Sequence, residues 1–134
     1  MKILVATKNL GKAKEIAVFL GSNFEIISLK DLPNVVDVEE TGKTFEENAV
    51  LKARAYFKLF GIASVADDAG LEIDYLNGEP GVKSRRWPSF AEASEGKLGR
   101  EKTDQELIDI ALEKLRGVPL EKRTAHLVAV GVYY

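Results

Sequence analysis

The 134-residue chain is 46% hydrophobic and 30% charged, with 19 basic against 21 acidic side chains, a net charge of −2, one histidine and no cysteine. These values fit one ordinary globular domain and exclude disulfide frameworks, zinc ribbons, Fe–S clusters, thiol nucleophiles and His-rich metal centres. Near charge balance argues against non-specific nucleic-acid binding, the first apolar run is too short for a signal-peptide core, and no segment approaches the roughly 18 apolar residues of a membrane span. A cytoplasmic protein with no nucleic-acid or membrane partner is the expectation.

Ile3-Leu4-Val5-Ala6, ended by Thr7, reads as a buried strand. Ile16, Phe19 and Leu20 give residues 12–20 one helical face, with Gly21 as the stop. Phe24 to Leu29 is a second short strand. Residues 30–43 form a polar, acidic connector. Thr44-Phe45-Glu46-Glu47 then matches a capping box, in which Thr44 bonds the third amide and Glu47 reaches back to the cap amide. Phe45, Ala49, Lys52, Ala53, Tyr56 and Phe60 continue that helix to Gly61.

Ala63 to Ala66 reads as a short buried strand ending at Asp67-Asp68, and Leu71 to Leu76 as a separate, half-exposed one. Asn77-Gly78 is a turn signal, and an irregular rigid segment runs on through Trp87-Pro88. Residues 89–102 are polar and Gly-bearing, which predicts a flexible excursion. Thr103 to Glu106 is a second capping box, followed by a face of Leu107, Ile108, Ala111, Leu112 and Leu115 with Gly117 as the stop. Leu127 to Tyr134 reads as a strand.

Four segments could carry chemistry. Thr7-Lys8-Asn9-Leu10-Gly11-Lys12 joins a strand to a helix N-terminus, where amides with partial positive charge suit phosphate. Lysines there oppose the helix dipole, which a bound anion would explain. The spacing is not that of a Walker A loop. Glu39-Glu40 precede the capped helix. Asp67-Asp68 end a buried strand, where adjacent carboxylates must be solvated, paired or on a metal. Mg²⁺ takes one or two carboxylates plus phosphates and waters, which Glu39 or Glu40 with Asp68 would satisfy. The bland alternative gives Asp67 to a turn and the glutamates to a wet surface. Gly78 to Trp87 places two arginines beside a tryptophan, which could hold phosphate or stack on a base, although a tight loop packed under Trp87 is the preferred reading. His126, in an apolar run, reads as a bonded structural residue.

Taken in order, A-T-K-N-x-G-K, E-E-T-G-x-T-F-x-E-N-A-x-x-K-A, A-D-D-x-G-L and G-x-P-G-V-x-S-x-R resemble the inosine triphosphate pyrophosphatase (Ham1-like) family. The resemblance implies a twisted mixed β-sheet flanked by helices in a two-lobed α/β architecture, usually as a homodimer. It implies hydrolysis of ITP, dITP and XTP to the monophosphate and pyrophosphate with Mg²⁺. It assigns Thr7, Lys8, Asn9, Leu10, Gly11 and Lys12 to the triphosphate, with Asn48 and Lys52 on the phosphate-facing side of the capped helix. Ala69, Ser84 and Arg86 would line the cleft. Glu39, favoured over Glu40, and Asp68 would hold the metal. Asp68 and Lys12 would be the catalytic pair, Asp68 accepting the proton of the attacking water.

Ala69 departs from the family's Ser or Thr, and the family's later G-F-G-Y-D-P and S-H-R segments are absent. Residues 1–134 are therefore expected to be one domain corresponding to the first two-thirds of the family's. Two alternatives stay open at this point: a non-catalytic nucleotide-binding fragment, and a Maf-like pyrophosphatase for pyrimidine nucleotides.

Overall fold

Lys2–Val5 forms strand β1, in which Ile3, Leu4 and Val5 are almost wholly buried. Each such side chain contributes about 1.5–3 kcal/mol by leaving water. In the computed structural model, which describes residues 1–95 and 100–134, β1 lies inside a four-stranded sheet of order β2-β1-β3-β4. Its neighbours are β2 (Glu25–Ser28) and β3 (Ser64–Ile73), both parallel to it. The last strand, β4 (Ala125–Tyr133), makes the sheet mixed: Ser64 and the adjoining Tyr134 exchange both backbone hydrogen bonds at 2.9 Å, as an antiparallel pair does. The helices are α1 (Leu10–Leu20), α2 (Phe45–Phe60), α3 (Phe90–Ser94) and α4 (Asp104–Lys114). This is the α/β fold expected.

The chain divides into two compact units. The first comprises Met1–Asp68 and Ala129–Tyr134. In it α2 packs Ala53 and Tyr56 against Leu4, Ala6 and Ala66 of the sheet. Side chains alternate across a strand, so Val65 and Asp67 face away from Ala66 and Asp68. On the Val65 side, α1 contributes Ile16, Phe19 and Leu20 to an apolar groove that Val132 and Tyr133 also line. The expected α1 face is therefore only partly covered: Ala13 is its buried residue, and Phe19 is 90% exposed. The α2 cap is also modified. Thr44 accepts from the Glu47 amide as predicted, but the Glu47 carboxylate bonds the amide of Lys43 rather than that of Thr44.

The second unit is Ala69–Val128. Its core gathers Ile73, Trp87, Ile110, Leu115 and Val118. Trp87 is buried, donates its indole N–H to Glu79 at 3.0 Å and carries the Lys114 ammonium 5.5 Å from its ring centroid. That N–H, with Lys114 behind it, lowers the Glu79 carboxyl below its usual range. Trp87 is thus a packing residue with no face to offer a base. Of the face expected on α4, Leu107, Ala111 and the C-cap residue Leu115 pack in or against this core beside Ile110, while Ile108 and Leu112 stay about half exposed.

Two further expectations change. The strands predicted at 63–66 and 71–76 are one continuous strand, β3, with only Asp74–Leu76 leaving it as a 3₁₀ turn. Asp67 and Asp68 do not end it, because their carboxylates find cations on either face instead of capping a turn. The expected excursion at 89–102 opens with helix α3, whose cap is a full box: Ser89 Oγ accepts from the Glu92 amide and Glu92 accepts from the Ser89 amide. Residues 96–99 of that excursion lie outside the described residues. His126 is bonded, as expected, at 3.1 Å from Asp74.

Glu92 also accepts from Lys102, a buried ammonium 2.9 Å away. The Ser89 amide, the Lys102 ammonium and the Ser89 hydroxyl hold its carboxyl at about 2, against an ordinary value of 4.5. A lowered carboxyl stabilises the fold fully above its unfolded value and loses that contribution as pH falls through the folded one. Glu92→Gln is therefore expected to lower the urea midpoint at pH 7, with the gap to wild type closing between about pH 4.5 and pH 2. A gap that persists at pH 2 would assign the effect to something other than this charge.

Candidate active site

The loop after β1 turns on its own side chains. The Thr7 hydroxyl accepts from the Asn9 amide at 3.1 Å. Asn9 is the N-cap of α1, its side-chain oxygen accepting from the amides of Gly11 and Lys12 at 2.9 and 3.3 Å. A Cβ at Gly11 would sit 3.1 Å from that oxygen. Two of the amides that the sequence offered to phosphate are therefore capped from within. The first turn of α1 carries no acid, and Lys8 and Lys12 are the cations of this segment. Leu10 opens the helix, half exposed.

Three lysine–carboxylate groups surround this end of β1 and the middle of β3. Lys8 pairs with Asp37, which raises the lysine's affinity for its proton. Lys12 Nζ lies 2.6 Å from Asp67 Oδ2. Lys52 Nζ lies 2.9 Å from Glu40 Oε1 and 3.6 Å from Asp68 Oδ1. The adjacent aspartates thus serve two helices, Asp67 facing α1 and Asp68 facing α2, as strand alternation requires. Of the two glutamates it is Glu40, not its exposed neighbour Glu39, that pairs with Lys52.

Asn48 ties the α2 side together. It is 1% exposed, donates Nδ2 to Asp68 Oδ2 at 3.1 Å and accepts the Gly42 amide on Oδ1 at 2.8 Å. A Cβ at residue 42 would fall 2.6 Å from that oxygen and 2.9 Å from the Asn48 amide nitrogen, so only glycine lets the acidic connector approach the start of α2. Tyr56 fixes the same connector by donating its hydroxyl to the Val36 carbonyl at 3.0 Å. Burial raises that phenol above its ordinary range.

Ala69, Ser84 and Arg86 belong to the second unit. Ala69 and Arg86 are exposed. Ser84 accepts the Leu71 amide at 2.9 Å and donates to the Gly81 carbonyl at 2.6 Å, fastening its 3₁₀ segment to β3. Both bonds are internal to the unit, and they give this serine a structural task.

Sequence alone assigns no role to Asp37 or to the close approach at Gly42, and for Asp67 it leaves a turn cap as the bland alternative to pairing. Period-two alternation through Asp67-Asp68 is the signal that would have separated their roles. The family resemblance offers Asn9 to the triphosphate, and an Asn at the last non-helical position before an apolar-periodic run is also an N-cap signature.

The sequence profile of the Ham1 family matches residues 3–134. The chain belongs to the Ham1 family. It is 44% identical over 125 residues to a dITP/XTP pyrophosphatase of Bacillus cereus, a match covering 92% of this chain and 56% of the relative. With a dITP/XTP pyrophosphatase of Oceanobacillus iheyensis the identity is 46% over 131 residues, covering 96% and 61%. The Ham1 protein of Staphylococcus aureus superposes with a TM-score of 0.83 at 36% identity, over 100% of this chain and 63% of that one. This Ham1 chain therefore spans somewhat over half the length of the curated relatives it matches.

Proposed function

We propose that the chain is an Mg²⁺-dependent nucleoside triphosphate pyrophosphatase, acting on ITP, dITP and XTP to give the monophosphate and pyrophosphate. The observation that carries this reading is that adjacent residues of β3 meet lysines from two helices, Asp67 with Lys12 on one face and Asp68, with Glu40, on Lys52 on the other. The dITP/XTP pyrophosphatase names of the relatives supply the substrate class. Homodimerisation belongs to the same reading, on the family resemblance, and a cytoplasmic setting on the composition.

Among the described residues no group of three or more His, Asp or Glu side chains forms a ready metal cage. Mg²⁺ does not need one, since it usually takes one or two carboxylates and completes its shell with water and phosphate. Glu40 and Asp68, both within ion-pair reach of the same Lys52 ammonium, are hard oxygen donors of that kind. They fit the ion and would hold it, with Glu39 as the neighbouring acid of the family motif. When bound, Mg²⁺ would neutralise charge on the phosphates and on the departing pyrophosphate.

The chain's own groups do the rest. Lys12 and Lys8, at the start of α1, take β- and γ-phosphate oxygens as a triphosphate displaces them from Asp67 and Asp37. Lys52 meets the phosphates from the α2 side. Asp68 accepts the proton of a water attacking the α-phosphorus in line, held in orientation by Asn48. Phosphoryl transfer is mostly positioning and charge stabilisation, so the lysines and the orienting amide carry much of the rate.

The test is a substrate panel of ITP, dITP, XTP, dTTP and UTP, each with and without Mg²⁺. Release of pyrophosphate from the first three only, and only with Mg²⁺, is expected. A preference for dTTP and UTP would move the chain to the Maf-like class, and binding without turnover would leave it a nucleotide-binding protein.

A further inference from the structure

We propose that Lys52 is a resident counter-cation of the metal position: its ammonium holds Glu40 and Asp68 until a divalent ion takes them, and it then passes to the phosphates. This rests on the reading of those two acids as metal-binding. The Lys52, Glu40 and Asp68 side chains are 15%, 29% and 12% exposed, so the two carboxylates are poorly solvated. Two such carboxylates repel each other and cost desolvation unless a positive charge lies between them. Lys52 supplies that charge, 2.9 Å from one and 3.6 Å from the other. Asn48, fixed by the Gly42 amide, holds Asp68 on its far oxygen and keeps it from following the lysine.

The consequence is thermodynamic. A divalent ion arriving alone has to displace the ammonium, or sit beside it against like-charge repulsion. A triphosphate arriving alone draws Lys52 away and leaves two carboxylates facing phosphate. When both arrive, the ion takes the carboxylates and the ammonium takes phosphate, so every charge keeps a partner. Ion and nucleotide then strengthen each other's binding by the same factor, and Lys52 is the element that couples them. A lysine suits this exchange, being a compact point charge on a flexible stem.

The test measures Mn²⁺ alone, by the electron paramagnetic resonance of the free ion, on the nucleotide-free full chain. Wild type, Lys52→Met and Lys52→Arg are compared at one ionic strength, with thermal melting followed alongside. Lys52→Met is expected to bind Mn²⁺ about tenfold or more tightly than wild type, and Lys52→Arg to remain near wild type. Lys52→Gln carries the same expectation as Lys52→Met and replaces it if the methionine variant melts early. Unchanged or weaker Mn²⁺ binding in the neutral variants would overturn the proposal, and it would leave the functional reading standing if wild type still requires Mg²⁺ for ITP turnover. Adding Asp68→Asn to Lys52→Met is expected to abolish the gain. A gain that survives Asp68→Asn would place the ion elsewhere, overturning both this proposal and the metal assignment it rests on.

Discussion

Asp68→Asn is expected to lower pyrophosphate release from ITP by about 100- to 10,000-fold, the usual range for removing a positioned proton acceptor. The substitution is nearly isosteric. Asn48 can still donate to the remaining carbonyl oxygen, with the new NH2 turned toward Lys52, whose ammonium keeps Glu40 as its partner. What disappears is the charge that the proposed mechanism uses to accept a proton and to hold a hard cation. Steady-state kinetics with Mg²⁺ check this, with the far-ultraviolet spectrum and melting point as controls. Turnover within a few-fold of wild type would remove Asp68 from the chemistry. The same variant of Asp67, on the opposite strand face, should act differently. Its partner is Lys12, so in the proposed mechanism its loss frees that lysine from a competing carboxylate and leaves the proposed proton acceptor in place.

Asn48→Ala is expected to cost both stability and rate. Asn48 is buried and spends both ends of its amide, one on the Gly42 amide and one on Asp68. Truncation leaves the Gly42 N–H without that acceptor, a cost of about 1–3 kcal/mol before the lost packing is counted. It also frees Asp68 to rotate. Partners that orient a metal-binding carboxylate are typically worth about 10- to 100-fold in metal affinity or activity. Chemical denaturation and kcat measured on the same preparation test the two effects together. A normal kcat on a destabilised protein would reduce Asn48 to a fold residue.

Much of this site was legible from residue order. The strand–loop–helix opening, the Thr44 cap and the Gly61 stop followed from hydrophobic period and capping chemistry, which are local. Asp68, Lys52 and Asn48 came from a family motif, and α2 does place Asn48 and Lys52 one turn apart on the face that meets Asp68. The choice between Glu39 and Glu40 was not legible, because an irregular connector has no period to say which of two neighbours turns inward. The continuity of β3 through Asp-Asp-Ala-Gly was also hidden. Those residues signal a turn unless cations from two helices meet the carboxylates, and that is long-range information. Trp87 illustrates the opposite case. Beside two arginines it could be a stacking platform, and burial in the second core decides against that.

The most direct measurement of the central claim is the fate of ITP in ¹⁸O-labelled water with Mg²⁺. Attack at the α-phosphorus by a water that Asp68 deprotonates predicts IMP carrying the label, together with unlabelled pyrophosphate, and none of this without the metal. Formation of IDP and phosphate, or label appearing in pyrophosphate, would contradict it.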